Sequence, residues 1–165
     1  MLVGEQPGDQ EDLKGEPFVG PAGRRLADAV DAAGIAREQV YVTNAVKHFR
    51  FEQRGKRRIH QKPAVGHIDA CRPWLEAEFD VVDPAIVVAL GATAARSILG
   101  RTVRIGEVRG RVLPPDAAAA ASRLPAPVLV TIHPSALLRI TDAAEREAAF
   151  AGLVEDLRTA ADAVR

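Results

Sequence analysis

Glu5, Asn44 and His133 each stand at or just after the end of a short apolar run: Met1-Leu2-Val3-Gly4-Glu5-Gln6, Tyr41-Val42-Thr43-Asn44, and Val128-Leu129-Val130-Thr131-Ile132-His133-Pro134-Ser135. A carboxylate and an imidazole in one crevice suit cleavage of a bond whose transition state separates charge. A carboxamide offers both donor and acceptor and can read the edge of a base. Between these motifs, residues 45–63 carry seven Lys/Arg against one acid, Glu52, with Phe49 and Phe51 interleaved. Such a basic loop suits a phosphate backbone and unstacked bases. Taken together the residues point to an enzyme acting on a flipped-out nucleobase. Each also has a plainer reading: Glu5 as an exposed loop carboxylate, Asn44 as a turn cap, His133 as a rim histidine bonded to a carbonyl, and 45–63 as a solvated loop.

For the motifs to meet, the runs before them must be strands of one sheet. Residues 85–90, AIVVAL, and 128–132, VLVTI, are continuous apolar runs without alternation, the mark of strands covered on both faces. Helices are expected at 21–34, 64–82, 92–99 and 142–163, where apolar residues recur at three and four, as in Ile68, Cys71, Leu75, Phe79 and Val82. Residues 4–23 hold five Gly and three Pro and read as a long constrained loop, neither helix nor strand. Residues 102–113 read as a hairpin, and 114–127 as an irregular connection. The order of strands and helices predicts a three-layer α/β/α domain with a mainly parallel central sheet, whose site lies at the carboxyl ends of the strands.

Composition narrows the classes. At 165 residues the chain reads as one domain, 1–165, and its abrupt opening on a strand leads us to expect truncation at the N-terminus. Lys+Arg and Asp+Glu both number 22, so net charge says nothing of a nucleic-acid partner and only the local cluster does. One Cys excludes an internal disulfide framework. With no apolar run of membrane length and no leader pattern, a cytoplasmic protein is expected. The 18 Arg against 4 Lys and the 30 Ala hint at a GC-rich bacterial genome. The Gly-rich segment matches neither a dinucleotide fingerprint nor a Walker A loop.

Gly4-Glu5-Gln6-Pro7-Gly8, Phe18-Val19-Gly20-Pro21-Ala22-Gly23, Tyr41-Val42-Thr43-Asn44 and His133-Pro134-Ser135 together resemble the uracil-DNA glycosylase superfamily, and its family-4 iron–sulfur branch in particular. Gly4 to Asp12, GEQPGDQED, and Lys56-Arg57-Arg58-Ile59-His60 look like the cross-linking branch, UdgX. The resemblance implies a uracil-DNA glycosylase that excises uracil and then becomes joined to the abasic sugar through His60. It implies that Glu5 and His133 assist the chemistry, that Phe18 stacks on uracil and that Asn44 reads it. By the same resemblance Gln6 and Asp9 surround the pocket and Ser135 lies near the DNA backbone. The charge of Lys56, Arg57 and Arg58, directly before His60, suits either a grip on DNA phosphates or a hold on the loop that turns His60 to the sugar.

Cys71 matches a ligand position of the family's [4Fe–4S] cluster. That cluster is expected in the intact family member and not in this chain, whose single thiol cannot hold it. The expected partner is uracil-containing DNA, single strands included, met at the nucleoid by a monomer that touches no membrane. Two alternatives stay open: a conventional turnover glycosylase, and a truncated, non-catalytic DNA-binding module.

Overall fold

The computed structural model describes residues 1–117 and 126–165. The five-Ala part of the 114–127 connection falls largely outside the described residues.

The central sheet has five strands in the order β2-β1-β5-β7-β6, where β1 is Leu2–Gly4, β2 Val42–Asn44, β5 Val87–Leu90, β6 Val112–Leu113 and β7 Val128–Thr131. Pairings are parallel except β6 on β7. Helices α2 (Pro21–Ala32) and α6 (Ala143–Asp162) cover one face, with Leu26, Val30, Leu153 and Leu157 packed on Leu2, Val88, Leu90 and Leu129. Helices α3 (Val65–Val82) and α4 (Ala92–Leu99) cover the other, with Leu75, Phe79, Ile98 and Leu99 on Val3, Val87, Val128 and Val130. Alternate residues of β5 and β7 thus feed opposite cores. That is why these strands carry no polar alternation. The fold is the expected three-layer α/β/α domain.

Three local expectations are corrected. Residues 4–23 contain a short helix, α1 (Asp9–Lys14), which buries no side chain and so leaves no apolar stripe to read. Its signals are electrostatic: Asp9, Glu11 and Asp12 in the first turn, Lys14 in the last, and left-handed Gly15 as the stop. Within 45–63 lies an antiparallel hairpin, β3 (Phe51–Arg54) and β4 (Arg57–His60). A two-residue turn at Gly55-Lys56, with Gly55 at φ 59°, sets its register. Both strands are charged and largely exposed, so hydrophobic alternation is missing. Residues 102–113 form a helical turn, α5 (Ile105–Val108), and the edge strand β6 in place of a hairpin. Gly110, at φ 71°, donates its N–H to the Val130 carbonyl, and Arg109 pairs with Asp156 at 2.7 Å, so this segment is held by β7 and α6 and not by itself.

Candidate active site

The chain leaves β1 for β2 on one side, then returns past β1 to β5 on the other. The switch point, where strand order reverses, lies between β1 and β5, and such a crevice is where an open α/β sheet receives its ligand. A cavity of about 750 Å³ opens there. Glu5, Gln6, Phe18, Asn44, His60, His133 and Ser135 all line it. Asp9, Lys56, Arg57, Arg58 and Cys71 lie outside its lining.

His133 follows β7 and caps a short 3₁₀ turn, Pro134–Ala136. The Ser135 backbone N–H donates to its Nδ1 at 3.2 Å, and the Ser135 hydroxyl lies 2.8 Å from the same atom. With Nδ1 accepting, the neutral ring carries its proton on Nε2. Burial is the main force that depresses the His133 pKa to about 4; Arg139 and His60 push the same way, against Glu5 and Glu11. At neutral pH this side chain is an uncharged hydrogen-bond donor. Ser135 is therefore the residue that fixes the His133 tautomer.

Phe18 holds its ring 5.8 Å from the His133 ring, tilted by 31°. It adopts φ 57°, a left-handed conformation rare for an aromatic. Gly23 shows what this turn requires: a Cβ there would lie 1.7 Å from the Phe18 carbonyl oxygen. Gly4 is equally constrained, since a Cβ would come within 2.4 Å of the Asn44 Oδ1 and 2.5 Å of the Phe18 ring. Asn44 is buried, and among the described residues nothing hydrogen-bonds its carboxamide. The turn-cap reading of Asn44 thus finds no bond, while the amide lines the cavity.

Glu5 sits at the centre, its side chain 23% exposed. Its Oε1 lies 3.3 Å from His60 Nε2, and its Oε2 accepts a hydrogen bond from the Thr93 hydroxyl. His60 arrives from outside the sheet, on β4, with its side chain 52% exposed. Polar anchors aim that hairpin. The buried Gln6 carboxamide donates to the carbonyls of Arg50 and Gln61 at 3.3 and 3.1 Å and accepts the Arg50 N–H at 3.1 Å, closing the hairpin's base. Arg58 donates to Asp9 at 2.6 Å and Asp12 at 2.5 Å on α1. Its guanidinium also lies 5.3 and 5.2 Å from the centres of the Phe49 and Phe51 rings. Gln6, Asp9 and Arg58 thus hold the hairpin that carries His60. Lys56 and Arg57, at the turn, are exposed.

Cys71 is buried against Val46 and Ile68, and the Lys47 N–H points to its sulfur at 3.4 Å. Among the described residues no group of three or more His, Cys, Asp or Glu is arranged to hold a metal, and the chain contains one Cys. These residues do not fit a [4Fe–4S] cluster.

Sequence reasoning missed Thr93, Glu11 and Arg139, which also line the cavity. Glu11 Oε1 accepts the Gly20 N–H at 2.7 Å and fastens the loop that bears Phe18. The signal for Thr93 was the Gly91-Ala92-Thr93 step between an apolar strand and a helix, the same kind of strand end that marked Glu5.

A neutral imidazole donor, a carboxylate and a carboxamide that makes no hydrogen bond among the described residues are gathered at the switch point of an α/β/α sheet, the place where such folds receive a ligand. Comparison with known proteins agrees. Residues 1–158 match the model of the uracil DNA glycosylase superfamily, and the chain belongs to that superfamily. It is 38% identical over 140 residues to a type-4 uracil-DNA glycosylase of Thermotoga maritima, covering 84% of this chain and 66% of that protein. It is 33% identical over 143 residues to one from Pyrobaculum aerophilum, covering 84% and 67%. The chain thus corresponds to about two thirds of these relatives' length. No helix of the described residues is long and apolar enough to cross a membrane.

Proposed function

We propose that this chain excises uracil from DNA and is then captured on the abasic sugar by His60, as in the cross-linking branch it resembles. One observation carries the reading: an exposed imidazole is delivered by a hairpin to within 3.3 Å of the carboxylate at the centre of the crevice. A flipped uracil stacks on Phe18 and pairs its N3–H and O4 with the Asn44 carboxamide. The C1′–N1 bond breaks with its electron pair passing to uracil. The His133 Nε2–H stabilises the anion at uracil O2 as a neutral donor, consistent with its depressed pKa. The Glu5 carboxylate stabilises the cation that grows on the sugar.

The unprotonated ring nitrogen of His60 then supplies the lone pair for a new C1′–N bond. The adduct is an imidazolium, and the uracil anion takes a proton from water. Tethering gives His60 an advantage that free water lacks. Lys56 and Arg57 grip phosphate, and single strands, which need no unpairing, are accepted. One copy of the chain acts on each uracil. A bacterial cytoplasm, at the nucleoid, is where such a substrate is met.

The test is a denaturing gel. Wild-type protein is incubated with a single-stranded oligonucleotide containing one uracil and then heated in SDS. A slow covalent band is expected, lost in His60→Ala while uracil release persists. An abasic product with no band from wild type identifies a turnover glycosylase. Neither product leaves only a DNA-binding module. A band that survives in His60→Ala moves the nucleophile to another residue.

A further inference from the structure

Across the switch-point crevice a side-chain hydrogen bond joins Glu5, after β1, to Thr93, after β5, and the two members differ in kind. Glu5, after β1, is the carboxylate of the proposed chemistry. Thr93, after β5, is a buried hydroxyl with no part in that chemistry. We propose that Thr93 is a positioning residue for Glu5: its hydroxyl fixes which carboxylate oxygen faces His60 and the sugar. This role rests on the excision reading.

Three observations carry it. First, the strands that bring the two residues together are adjacent and in parallel register, with Leu2 opposite Val88 and Val3 opposite Ala89. The sheet thus sets where β1 and β5 end, and the turn at Gly91 with the start of α4 carries Thr93 from there to Glu5. Second, the turn before Thr93 is tightly specified. Gly91 adopts φ 89°, and a Cβ there would lie 2.9 Å from the His133 Cβ, so α4 begins directly against the leaving-group histidine. Gly91 also donates its N–H to the Thr131 carbonyl at 2.9 Å, which ties the start of α4 to β7. Third, the Glu5 carboxylate is divided between two partners. Oε2 accepts from the Thr93 hydroxyl, while Oε1 lies 3.3 Å from His60 Nε2.

A carboxylate on a three-bond stem has several rotamers, and an exposed imidazole restrains it weakly. The buried hydroxyl is the rigid member, because a β-branched side chain on a helix has few χ1 choices. Glu5 also meets the first turn of α4, where backbone N–H groups lack helical partners and favour an anion. Without the hydroxyl, Oε2 loses its donor and the carboxylate is free to turn from the sugar. A displacement of about 1 Å in a reacting group costs roughly 100-fold in rate.

The experiment is single-turnover uracil release by Thr93→Val, Thr93→Ser and Glu5→Gln, with the Thr93→Val/Glu5→Gln double variant closing the cycle. Affinity for uracil-containing DNA and thermal melting are measured alongside. Thr93→Val keeps the shape and removes the donor; Thr93→Ala replaces it if valine prevents folding. We expect the release rate of Thr93→Val to fall about 10- to 100-fold with affinity changed less than about twofold, on the scale of a misplaced group. Thr93→Ser should recover to within about threefold of wild type, since it keeps the donor. In the Glu5→Gln background Thr93→Val should change the rate less than about twofold, because the two act as one unit.

Wild-type release rate in Thr93→Val, failure of serine to rescue, or full additivity with Glu5→Gln each overturns the positioning role alone. Absence of uracil release from wild type overturns the excision reading and this proposal with it.

Discussion

Two histidines face one crevice, and they are mounted by opposite means. His133 follows β7, all four of whose residues are buried, and its ring is desolvated beside Phe18. His60 rides a two-stranded hairpin that adds nothing to the main sheet. Its attachments are mostly polar: the Gln6 carboxamide and the Arg58 pairs with Asp9 and Asp12, joined by the stack of Phe49 on Phe51 at 5.2 Å beneath the guanidinium. Hydrophobic burial sets one imidazole, and chiefly hydrogen bonds and ion pairs set the other. The hairpin can therefore be disturbed without touching the sheet, whereas the His133 loop cannot be altered without reaching the core. Uracil departure and covalent capture should come apart in one direction only.

The largest expected effect falls on the buried side, and it is a matter of stability. An unfolded histidine takes its proton near 6.5, and folded His133 only at about 4. Between those values the unfolded state binds more protons, so falling pH destabilises the fold through that window; the full stability is present above it. At roughly 1.4 kcal/mol per pH decade this amounts to about 3 kcal/mol on the acid side. Urea unfolding of wild type and His133→Asn at pH 7, 5.5 and 4 reads it directly. The variant should gain on wild type by about 3 kcal/mol as pH falls to 4, on the same linkage. A difference that does not vary with pH would contradict the burial of a neutral His133.

On the hairpin side, Arg58→Ala removes both carboxylate pairs and the cover over two phenylalanine rings. His60 then loses its aim while β7 is untouched. Covalent yield per uracil released should drop about 100-fold, the scale of a group displaced by about 1 Å. Uracil release itself should stay within about threefold, since water can replace the imidazole. The denaturing gel and a release assay on the same samples separate the two. A parallel loss of both would break the division between the regions.

The parts legible in the sequence were those built on hydrophobic pattern or sharp punctuation. AIVVAL and VLVTI announced strands covered twice, and Glu5, Asn44 and His133 stood out because they lie at the carboxyl ends of β1, β2 and β7, the ends that a parallel sheet turns to its crevice. The hairpin was not legible: Phe51–Arg54 and Arg57–His60 have no buried face, so a charged run read as a loop. Its only local mark was Gly55, set for a two-residue turn. Helix α1 escaped for the same reason. Whether Arg58 grips phosphate or holds the loop that bears His60 stayed open in the sequence, because its partners, Asp9 and Asp12, lie 49 and 46 positions away. Such a pairing is a tertiary fact that no window of residues contains.

A third variant tests recognition on the buried side. Uracil presents N3–H and O4, and a carboxamide complements both; a carboxylate accepts at two atoms and donates at none. Each polar group left unpaired in a buried contact costs about 1–3 kcal/mol. Asn44→Asp should therefore slow uracil release by roughly 10- to 100-fold at neutral pH, on that same scale. The covalent yield per released uracil should not change, because in the proposed sequence His60 acts after the base has gone. Unaltered release would remove Asn44 from recognition, and an altered yield per release would couple the sheet end to the hairpin.

The smallest expected effect lies at the hairpin's outer turn. Lys56 and Arg57 are exposed, and Lys56 follows the turn glycine, so neither helps hold the hairpin in the way Arg58 does. Three cations in a row repel one another, and Arg58 is relieved by its two carboxylates. The other two are left for an external anion, and the phosphates of a strand entering the crevice are the proposed one. Each lost phosphate contact lowers the slope of log K against log[salt] by roughly 0.7 on single strands. Between 50 and 200 mM salt that is a change of only about two- to threefold in affinity per residue, by the same relation. Lys56→Ala and Arg57→Ala, measured by fluorescence anisotropy across salt on an oligonucleotide without uracil, should each shallow the slope by that amount. Covalent yield at saturating DNA should be untouched. Arg58→Ala supplies the contrast, with a large loss of yield and little change in slope. Should its slope fall as much as theirs, Arg58 must leave Asp9 and Asp12 to meet DNA, and the hairpin would be a clamp that rearranges on binding and not a fixed mount.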